Sequence, residues 1–279
     1  MSLHPYVQLL SETYNRSRSV LCFGMDPVIG RMKIDASRHV GDEIVRYFST
    51  ILESIYERIA AVKPNAAYYL QYGSSGLQAL SKLTKFAQEL GLPVIIDLKA
   101  GDIGRTSAAY AHFVFEVIGG NAVTLNPYMG FDAIEPFTAF KDRGMYILVL
   151  TSNSSTGDFQ TRSLQSGTLL FEHVLDNVTS WSEQHGGVGA VIGATQRDFA
   201  VCIEKLRQKG HSLPLLIPGI GAQGGSYTDT MRILTSKEYG HEYVRINASS
   251  SISYAHERYT HVGFDEAAAM AIDDLTGSR

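Results

Sequence analysis

The sequence predicts an α/β fold, a single (β/α)8 TIM barrel with a short N-terminal helix. Three observations predict it: short apolar runs recur along the chain, helical patterns separate them, and strand followed by helix repeats about eight times. Such alternation predicts a parallel sheet, and about eight repeats favour a closed barrel over an open sheet. No Pro- or Ser-rich linker divides the chain, so we expect one domain, with a helical extension at 1–19, the barrel at 20–262 and a C-terminal helix at 263–279.

The predicted strands are apolar with little alternation, which is typical of strands buried on both faces of a parallel sheet. They lie at 20–24, 60–63, 93–97, 122–125, 145–150, 188–192, 214–217 and 243–247.

The segments between the strands carry helical spacing. In 41–60, one apolar stripe is formed by Ile44, Phe48, Ile51, Leu52, Ile55 and Ile59. Comparable patterns predict helices at 75–90, 105–118, 167–184, 196–208 and 264–276.

Composition limits the function classes. The chain is 44% hydrophobic and 19% charged, as in soluble globular proteins, and its net charge of −4 gives no general attraction to nucleic acid or anionic membranes. No segment reaches the roughly 18 apolar residues of a membrane span, so we expect a cytoplasmic protein with a small-molecule ligand. Cys22 and Cys202 lie outside any CxxC or Cys/His cluster, which predicts neither a disulfide framework nor a zinc site.

A charged cluster follows the third predicted strand. Asp97 and Lys99 are two residues apart at the strand end, and Asp102 follows in the loop. Because strand side chains alternate, we expect Asp97 and Lys99 to point together into the barrel mouth, where TIM barrels place catalytic groups. Lys63 ends the preceding strand, so the charges would alternate in sign. Carboxylates on both sides would keep Lys99 protonated, which suits a proton donor to a developing carbanion better than a Schiff-base nucleophile.

Other polar residues directly follow the apolar runs and are weaker candidates, because turns are polar in any protein. They are Asp26, Asn65, Asn126, Ser152, Asn153, Thr195, Gln223 and Asn247.

Ordered motifs extend the cluster into a family pattern. The segment IIDLKAGDIGRTSAAYA, together with FGMDP, VKPN, LNPYMGFDAIEPF, TSNSSTGDFQ, VIGAT and PGIGAQGG, resembles orotidine 5′-phosphate decarboxylase in its longer bacterial-type branch. The resemblance runs from about residue 20 to 255. It implies a homodimeric barrel that converts orotidine 5′-phosphate to uridine 5′-phosphate and carbon dioxide in pyrimidine synthesis, with no metal and no organic cofactor.

The resemblance also implies roles for residues of the cluster. Lys99 matches the proton donor to C6 of the pyrimidine, and Asp97 the residue near the departing carboxylate. Lys63 and Asp26 match the pair that holds the ribose hydroxyls, and Ser152 the serine that reads the pyrimidine edge.

The same resemblance implies a shared site. Asp102 matches an aspartate that reaches into the neighbouring subunit, and Ile103 and Thr106 would accompany it across the dimer interface.

A glycine-rich loop follows the seventh predicted strand, where barrels often bind phosphate. It runs from Pro218 to Gly225, and its glycines, Gly224 among them, let backbone N–H groups approach an anion closely. By resemblance Gln223 contacts the phosphate.

The eighth strand departs from the family pattern. The family has an arginine that grips the phosphate where this chain has Ser250. A neutral hydroxyl in place of a charge-assisted fork lowers phosphate affinity by something on the order of 1.5–3 kcal/mol. Arg245 lies five residues earlier and should face the other way, whereas Arg258 in the following segment is a second candidate for the missing charge. The third alternative is an altered or engineered site with weakened substrate affinity.

Two other functions stay open. One is a metal-dependent phosphosugar decarboxylase or aldolase of the same barrel class, which a chelator would inhibit. The other is a non-catalytic nucleotide-binding relative that lost its phosphate arginine, although such a protein has no use for a lysine held between carboxylates.

Overall fold

A computed structural model describes residues 3–35, 37–195, 197–210, 212–221 and 224–277. It contains eight strands, all parallel to their neighbours. They are β1 (Leu21–Gly24), β2 (Ala61–Lys63), β3 (Ile95–Ala100), β4 (Ala122–Leu125), β5 (Gly144–Leu150), β6 (Val188–Ile192), β7 (Leu215–Ile217) and β8 (Val244–Ala248). Each coincides with a predicted apolar run, although β3 begins and ends later than the predicted 93–97.

The sheet closes into a barrel. Its order is β2-β1-β8-β7-β6-β5-β4-β3, and two isolated parallel bridges, Val62 to Val94 and Asn65 to Asp97, join the two ends. The predicted (β/α)8 barrel is therefore confirmed. Because all strands are parallel, their carboxyl ends open on one face.

The helices follow the strands with one exception. They are α1 (Pro5–Ser17), α2 (Val40–Ile55), α3 (Ala66–Leu70), α4 (Gly73–Glu89), α5 (Gly104–His112), α6 (Leu170–His185), α7 (Phe199–Gln208), α8 (Tyr227–Ser236), α9 (Ser250–Ser253) and α10 (Phe264–Thr276). Between β4 and β5 the described chain forms only two 3-10 turns, Phe131–Ala133 and Glu135–Ala139. Gly130 with positive φ and Pro136 interrupt a regular helix there.

Helix α1 covers the amino ends of the strands. The Tyr6 hydroxyl donates to the Tyr146 hydroxyl at 2.9 Å. Arg245 is fully buried beneath α1, where its Nη2 donates to Leu10 O and Thr13 Oγ1, both at 2.7 Å. Arg245 thus faces away from the carboxyl ends, as predicted, and a binding site must lie at the opposite face.

Two further findings concern membrane-spanning helices and the two cysteines. Within the described ranges, no helix has the length and apolar character needed to cross a bilayer. Cys22 and Cys202 are buried and free, and burial raises the pKa of both thiols to about 12. Neither cysteine is therefore a ready nucleophile.

Candidate active site

A cavity of about 580 Å³ opens at the carboxyl ends of the strands. It receives side chains from loops and strands all around the barrel, as expected for a TIM-barrel site. Its polar lining consists of Asp26, Lys63, Asn65, Tyr68, Asp97, Lys99, Thr124, Thr151, Ser152, Asn153, Gln160, Asn247, Ser249 and Ser250.

Asp97 lies at the centre of the charged floor of this cavity. Lys63 Nζ donates to its Oδ2 at 2.8 Å, and Lys99 Nζ donates to its Oδ1 at 2.5 Å. Asp97 and Lys63 are almost wholly buried, at 7% and 5% exposure, whereas the Lys99 side chain is 47% exposed. The structure therefore brings together three of the four charges that the sequence placed in alternation, and leaves one ammonium open to the cavity.

Burial and neighbouring charges shift the pKa values of Asp97 and Lys63 in opposite directions. Burial alone would raise the pKa of Asp97, but the ammonium groups of Lys63 and Lys99 outweigh it and hold that pKa well below its usual value. Burial likewise disfavours the charged form of Lys63, yet Asp97 and Asp26 raise its pKa above the usual lysine value. Asp97 is thus an anion and Lys63 a cation at neutral pH.

The backbone at Lys99 does not follow the regular strand period assumed above. Its φ is +52°, in the left-handed region that non-glycine residues avoid, and the pairing of β3 with β4 shifts register between Ile96 and Ala100. A residue held in this region costs on the order of 1–3 kcal/mol and is typical of functional sites. Asp97 and Lys99 converge as predicted, but through this irregular backbone.

Thr124 on β4 is a site residue that the sequence analysis missed. Its Oγ1 donates to Asp97 Oδ1 at 2.9 Å and accepts a hydrogen bond from the Lys99 backbone N–H at 3.0 Å. A polar residue inside the otherwise apolar run AVTL is the signal that could have identified it.

The ends of β1 and β2 form one wall of the cavity. Asp26 Oδ1 accepts a hydrogen bond from the Asn65 backbone N–H at 3.1 Å, and the Asp26 carbonyl accepts one from the Tyr254 hydroxyl at 2.6 Å. These contacts hold the Asp26 carboxylate at the cavity beside Lys63, where the resemblance placed both. Ser152 lines the cavity from the loop after β5.

The loops after β7 and β8 form the adjoining wall, since β8 pairs with β1. Pro218, Gly219, Ile220, Asn247, Ser249 and Ser250 line it, while Gly224 is exposed and outside the lining. Gln223 lies outside the described residues. Three of the loop amides are used within the loop itself, since Gly221, Gly224 and Gly225 donate to carbonyls at 219–225. Asn247 Oδ1 and Ser251 Oγ are buried without a hydrogen-bond partner in the described chain.

Gly24 allows the β8 loop to approach β1. A Cβ at this position would collide with Ser249 Oγ, so only glycine permits the present contact. The end of β1 thereby positions the serine-rich wall.

Arg258 lies just outside that wall. Its Nη2 donates to the Ser251 carbonyl at 3.3 Å, and its guanidinium carbon is 5.1 Å from the Tyr259 ring centroid. In the described chain it forms no ion pair, so its charge is available.

Asp102, Ile103 and Thr106 do not line the cavity of their own chain. Asp102 Oδ1 accepts a hydrogen bond from the Ile103 backbone N–H at 2.8 Å, and Asp102 forms no ion pair within the described ranges. Ile103 is 50% exposed, and Thr106 is exposed on the first turn of α5. The fourth charge of the predicted array therefore lies outside the cavity lining of its own chain.

A second cavity, of about 700 Å³, lies between the loops after β4 and β5 and helix α6. Phe159, Phe171 and Trp181 make it largely apolar, and it shares Leu148 and Gln160 with the charged cavity. His173 also lines it, but no lysine or carboxylate does, so the charged array belongs to the first cavity.

The residues present do not suggest a metal site. In the part of the chain that the structure describes, no group of three or more His, Cys, Asp or Glu side chains is arranged to hold an ion. Both oxygens of Asp97 already accept hydrogen bonds from ammonium groups, so a divalent cation there would meet two positive charges.

Comparisons with known proteins agree with this geometry. A family model described as "Orotidine 5'-phosphate decarboxylase / HUMPS family" matches residues 19–260. The chain is 40% identical over 217 residues to orotidine 5′-phosphate decarboxylase of Thermomicrobium roseum, covering 77% of this chain and 75% of that protein. It is 37% identical over 251 residues to the enzyme of that name from Herpetosiphon aurantiacus, covering 90% of each. The solved structure of Leishmania donovani OMP decarboxylase superposes with a TM-score of 0.74 at 28% identity, over 98% of both chains.

Proposed function

The chain belongs to the orotidine 5′-phosphate decarboxylase / HUMPS family, and we propose that it converts orotidine 5′-phosphate to uridine 5′-phosphate and carbon dioxide in pyrimidine biosynthesis. We propose that it does so in the cytoplasm, with no metal or organic cofactor. One observation carries the proposal: an ionised Asp97 sits between two ammonium groups on the cavity floor, and one of them, Lys99, is open to the substrate.

The charges suit a decarboxylation through a carbanion. The bond from C6 to the carboxylate breaks, carbon dioxide leaves, and the electron pair stays on C6. Lys99 Nζ then gives C6 a proton and regains one from solvent. At an effective dielectric near 20, unit charges 4 Å apart interact by about 4 kcal/mol, so Asp97 repels the substrate carboxylate while Lys99 stabilises the carbanion.

The remaining lining residues would orient the nucleotide. Lys63 and Asp26 would bind the ribose hydroxyls and Ser152 the pyrimidine edge, and all three line the cavity. Lys63 also keeps Asp97 ionised when a second anion approaches, because its own pKa is raised.

A decarboxylation assay tests this function. With orotidine 5′-phosphate as substrate, we expect the fall in orotate absorbance to show turnover, and Lys99→Ala to lower kcat by roughly 10²–10⁴-fold, the range for a general acid. Lys85→Ala, which removes an exposed lysine paired with Glu89 at 3.9 Å, is the matched control and should leave kcat unchanged.

Two results would contradict the proposal. Loss of activity on adding a chelator would favour the metal-dependent phosphosugar enzyme. A folded parent chain that binds uridine 5′-phosphate without turning over the substrate would favour a non-catalytic nucleotide-binding protein.

We propose that the substrate phosphate binds at the wall formed by the loops after β7 and β8. Pro218, Gly224 and Gln223 belong to its glycine-rich loop, and Ser250 supplies a neutral hydrogen bond. Arg258 donates to the carbonyl of the neighbouring Ser251 and would be the cation that approaches a bound dianion. Arg245 is not a candidate, because it is buried at the opposite end of the barrel.

The Ser250→Arg variant tests this assignment. A charge-assisted fork in place of a neutral bond strengthens binding by about 1.5–3 kcal/mol, so KM should fall by roughly 10- to 150-fold. Arg258→Gln should raise KM in the parent and have less effect once Ser250→Arg is present. Arg232→Gln, which removes an exposed arginine that pairs with Asp229 on α8, is the control. If neither Ser250→Arg nor Arg258→Gln changes KM, the phosphate binds elsewhere.

We propose that the chain forms a homodimer through the face around the cavity mouth. Most of its large exposed apolar side chains follow four consecutive strands, β2 to β5, and such a patch is typical of a protein interface. They are Tyr68, Leu70, Ile103, Tyr110, Tyr128, Met129 and Phe159. Asp102, Ile103 and Thr106 lie on this face and would enter the partner's cavity, where Asp102 would supply the second carboxylate for Lys99.

Mixing two inactive variants tests the shared site. In a mixture of Asp102→Asn and Lys99→Ala, random exchange makes roughly half of the dimers mixed, each with one intact site, so about a quarter of parent activity should return. The unmixed variants at the same total concentration are the controls. If mixing restores nothing although subunits exchange, Asp102 does not act across an interface.

A further inference from the structure

Lys99 occupies a backbone conformation that needs support. Its φ of +52° lies in the left-handed region, and the ladder between β3 and β4 is broken between Ile96 and Ala100. The Lys99 backbone N–H therefore has no regular strand partner. Its acceptor is the side chain of Thr124, at 3.0 Å.

The Thr124 hydroxyl uses both of its hydrogen-bonding capacities inside the charge array. It accepts from the Lys99 N–H and donates its single proton to Asp97 Oδ1 at 2.9 Å. Thr124 is only 1% exposed, so water does not compete for either hydrogen bond. The Thr124 hydroxyl thus links the Lys99 backbone to the Asp97 carboxylate, which also accepts a hydrogen bond from the Lys99 ammonium.

On the basis of the proposed function, we propose that Thr124 is a positioning residue that sets the geometry of the Asp97–Lys99 pair for proton transfer. Without the hydroxyl, the Lys99 N–H loses its acceptor and the left-handed backbone is free to return to an extended conformation. Asp97 Oδ1 then keeps only the Lys99 ammonium as a partner, and the carboxylate is held from the other side by Lys63 alone. Both changes move the proton donor away from the reacting carbon, while the ribose and phosphate contacts on the other walls stay in place.

Thr124→Val and Thr124→Ser separate the hydroxyl from the shape of the side chain. Valine keeps the volume and loses both hydrogen bonds, so kcat should fall by roughly 10- to 100-fold, as for catalytic groups displaced by about 1 Å, with KM within about threefold of the parent. Serine keeps the hydroxyl and should restore kcat to within about threefold of the parent. Thr84→Val is the matched control, because the Thr84 hydroxyl is buried in α4 with no hydrogen-bond partner in the described chain.

A crystal structure of Thr124→Val supplies a readout that does not depend on turnover. We expect the Lys99 φ to become negative and its ammonium to leave Asp97. If the parent shows no decarboxylation at all, the proposed function fails while this measurement still tests the positioning role. The inference is overturned if the valine variant keeps the Lys99 backbone and kcat of the parent, if KM alone rises, or if serine is as impaired as valine.

Discussion

Lys63→Met is expected to destabilise the fold strongly at neutral pH. Lys63 Nζ lies 2.8 Å from Asp97 Oδ2, and the two side chains are 6% and 8% exposed. Removing one partner of a buried ion pair costs about 3–5 kcal/mol because the other charge is left uncompensated. Asp97 keeps Lys99 and Thr124 on its Oδ1, so we expect the lower end, about 3 kcal/mol.

The pH dependence identifies the cause of that loss. In the parent the pKa of Asp97 is lowered, so its contribution to stability is present above its unfolded pKa near 3.9 and is lost as pH falls through the folded pKa. In the variant the pKa of Asp97 is higher, since a cation has been removed. The difference in free energy of unfolding between parent and variant is therefore largest at about pH 7. It decreases on acidification, because Asp97 of the variant becomes protonated.

Urea denaturation of parent and variant at about pH 7 and about pH 4.5 measures this difference. Lys82→Met is the matched control: it breaks an exposed pair with Asp42, 58% and 65% exposed, and should cost less than about 1 kcal/mol at both pH values. The reasoning is refuted if Lys63→Met costs no more than Lys82→Met, or if its cost is the same at both pH values.

Three further outcomes are expected. Arg245→Met should lower the free energy of unfolding by about 2–5 kcal/mol, measured in urea, because it removes the hydrogen bonds that the buried guanidinium donates to the Leu10 and Val244 carbonyls and to the Thr13 hydroxyl. It should leave kcat/KM unchanged, because Arg245 lies at the far end of the barrel. The pKa of Lys63 is raised in the folded state, so its stabilising contribution is complete below its unfolded pKa of about 10.4 and is lost as pH rises through the folded pKa. Lys63→Met should therefore reduce the fall in the free energy of unfolding at alkaline pH. Gly24→Ala should raise KM and lower the unfolding midpoint, because its Cβ collides with Ser249 and displaces it from the phosphate wall. An unchanged KM would show that Ser249 does not help to bind the phosphate.

Most of the barrel could be predicted from the sequence, because buried parallel strands are continuous apolar runs and amphipathic helices have their own period. The run 188–192 coincides with β6, and 264–276 with α10. Helix α8 was not predicted, since TDTMRILTS mixes its few apolar residues with four hydroxyl side chains. The connection between β4 and β5 departs from the alternation because Gly130 and Pro136 prevent a regular helix.

The site was only partly predictable, for a reason that differs between residues. Lys63 and Asp97 could be placed because strand ends of a barrel share one face. The left-handed backbone at Lys99 could not, since nothing in the run DLKAGD marks a lysine for positive φ. Thr124 was missed because its role depends on that irregular backbone: only a broken ladder leaves a strand N–H for a side chain of the next strand to bind.

The charge balance of the cavity connects these residues to the proposed chemistry. One chain provides two ammonium groups around Asp97, with Asp26 beside Lys63, so Lys99 meets a single carboxylate. The half-exposed Lys99 ammonium is the group that an anionic nucleotide meets, yet it delivers a proton to the right atom only when the array around it stays rigid. Thr124 supplies that rigidity from within the chain, and Asp102 of a second copy would supply the missing negative charge. In the proposed homodimer the array is complete only across the interface, so activity should fall on dilution below the dissociation constant while the fold of each barrel persists.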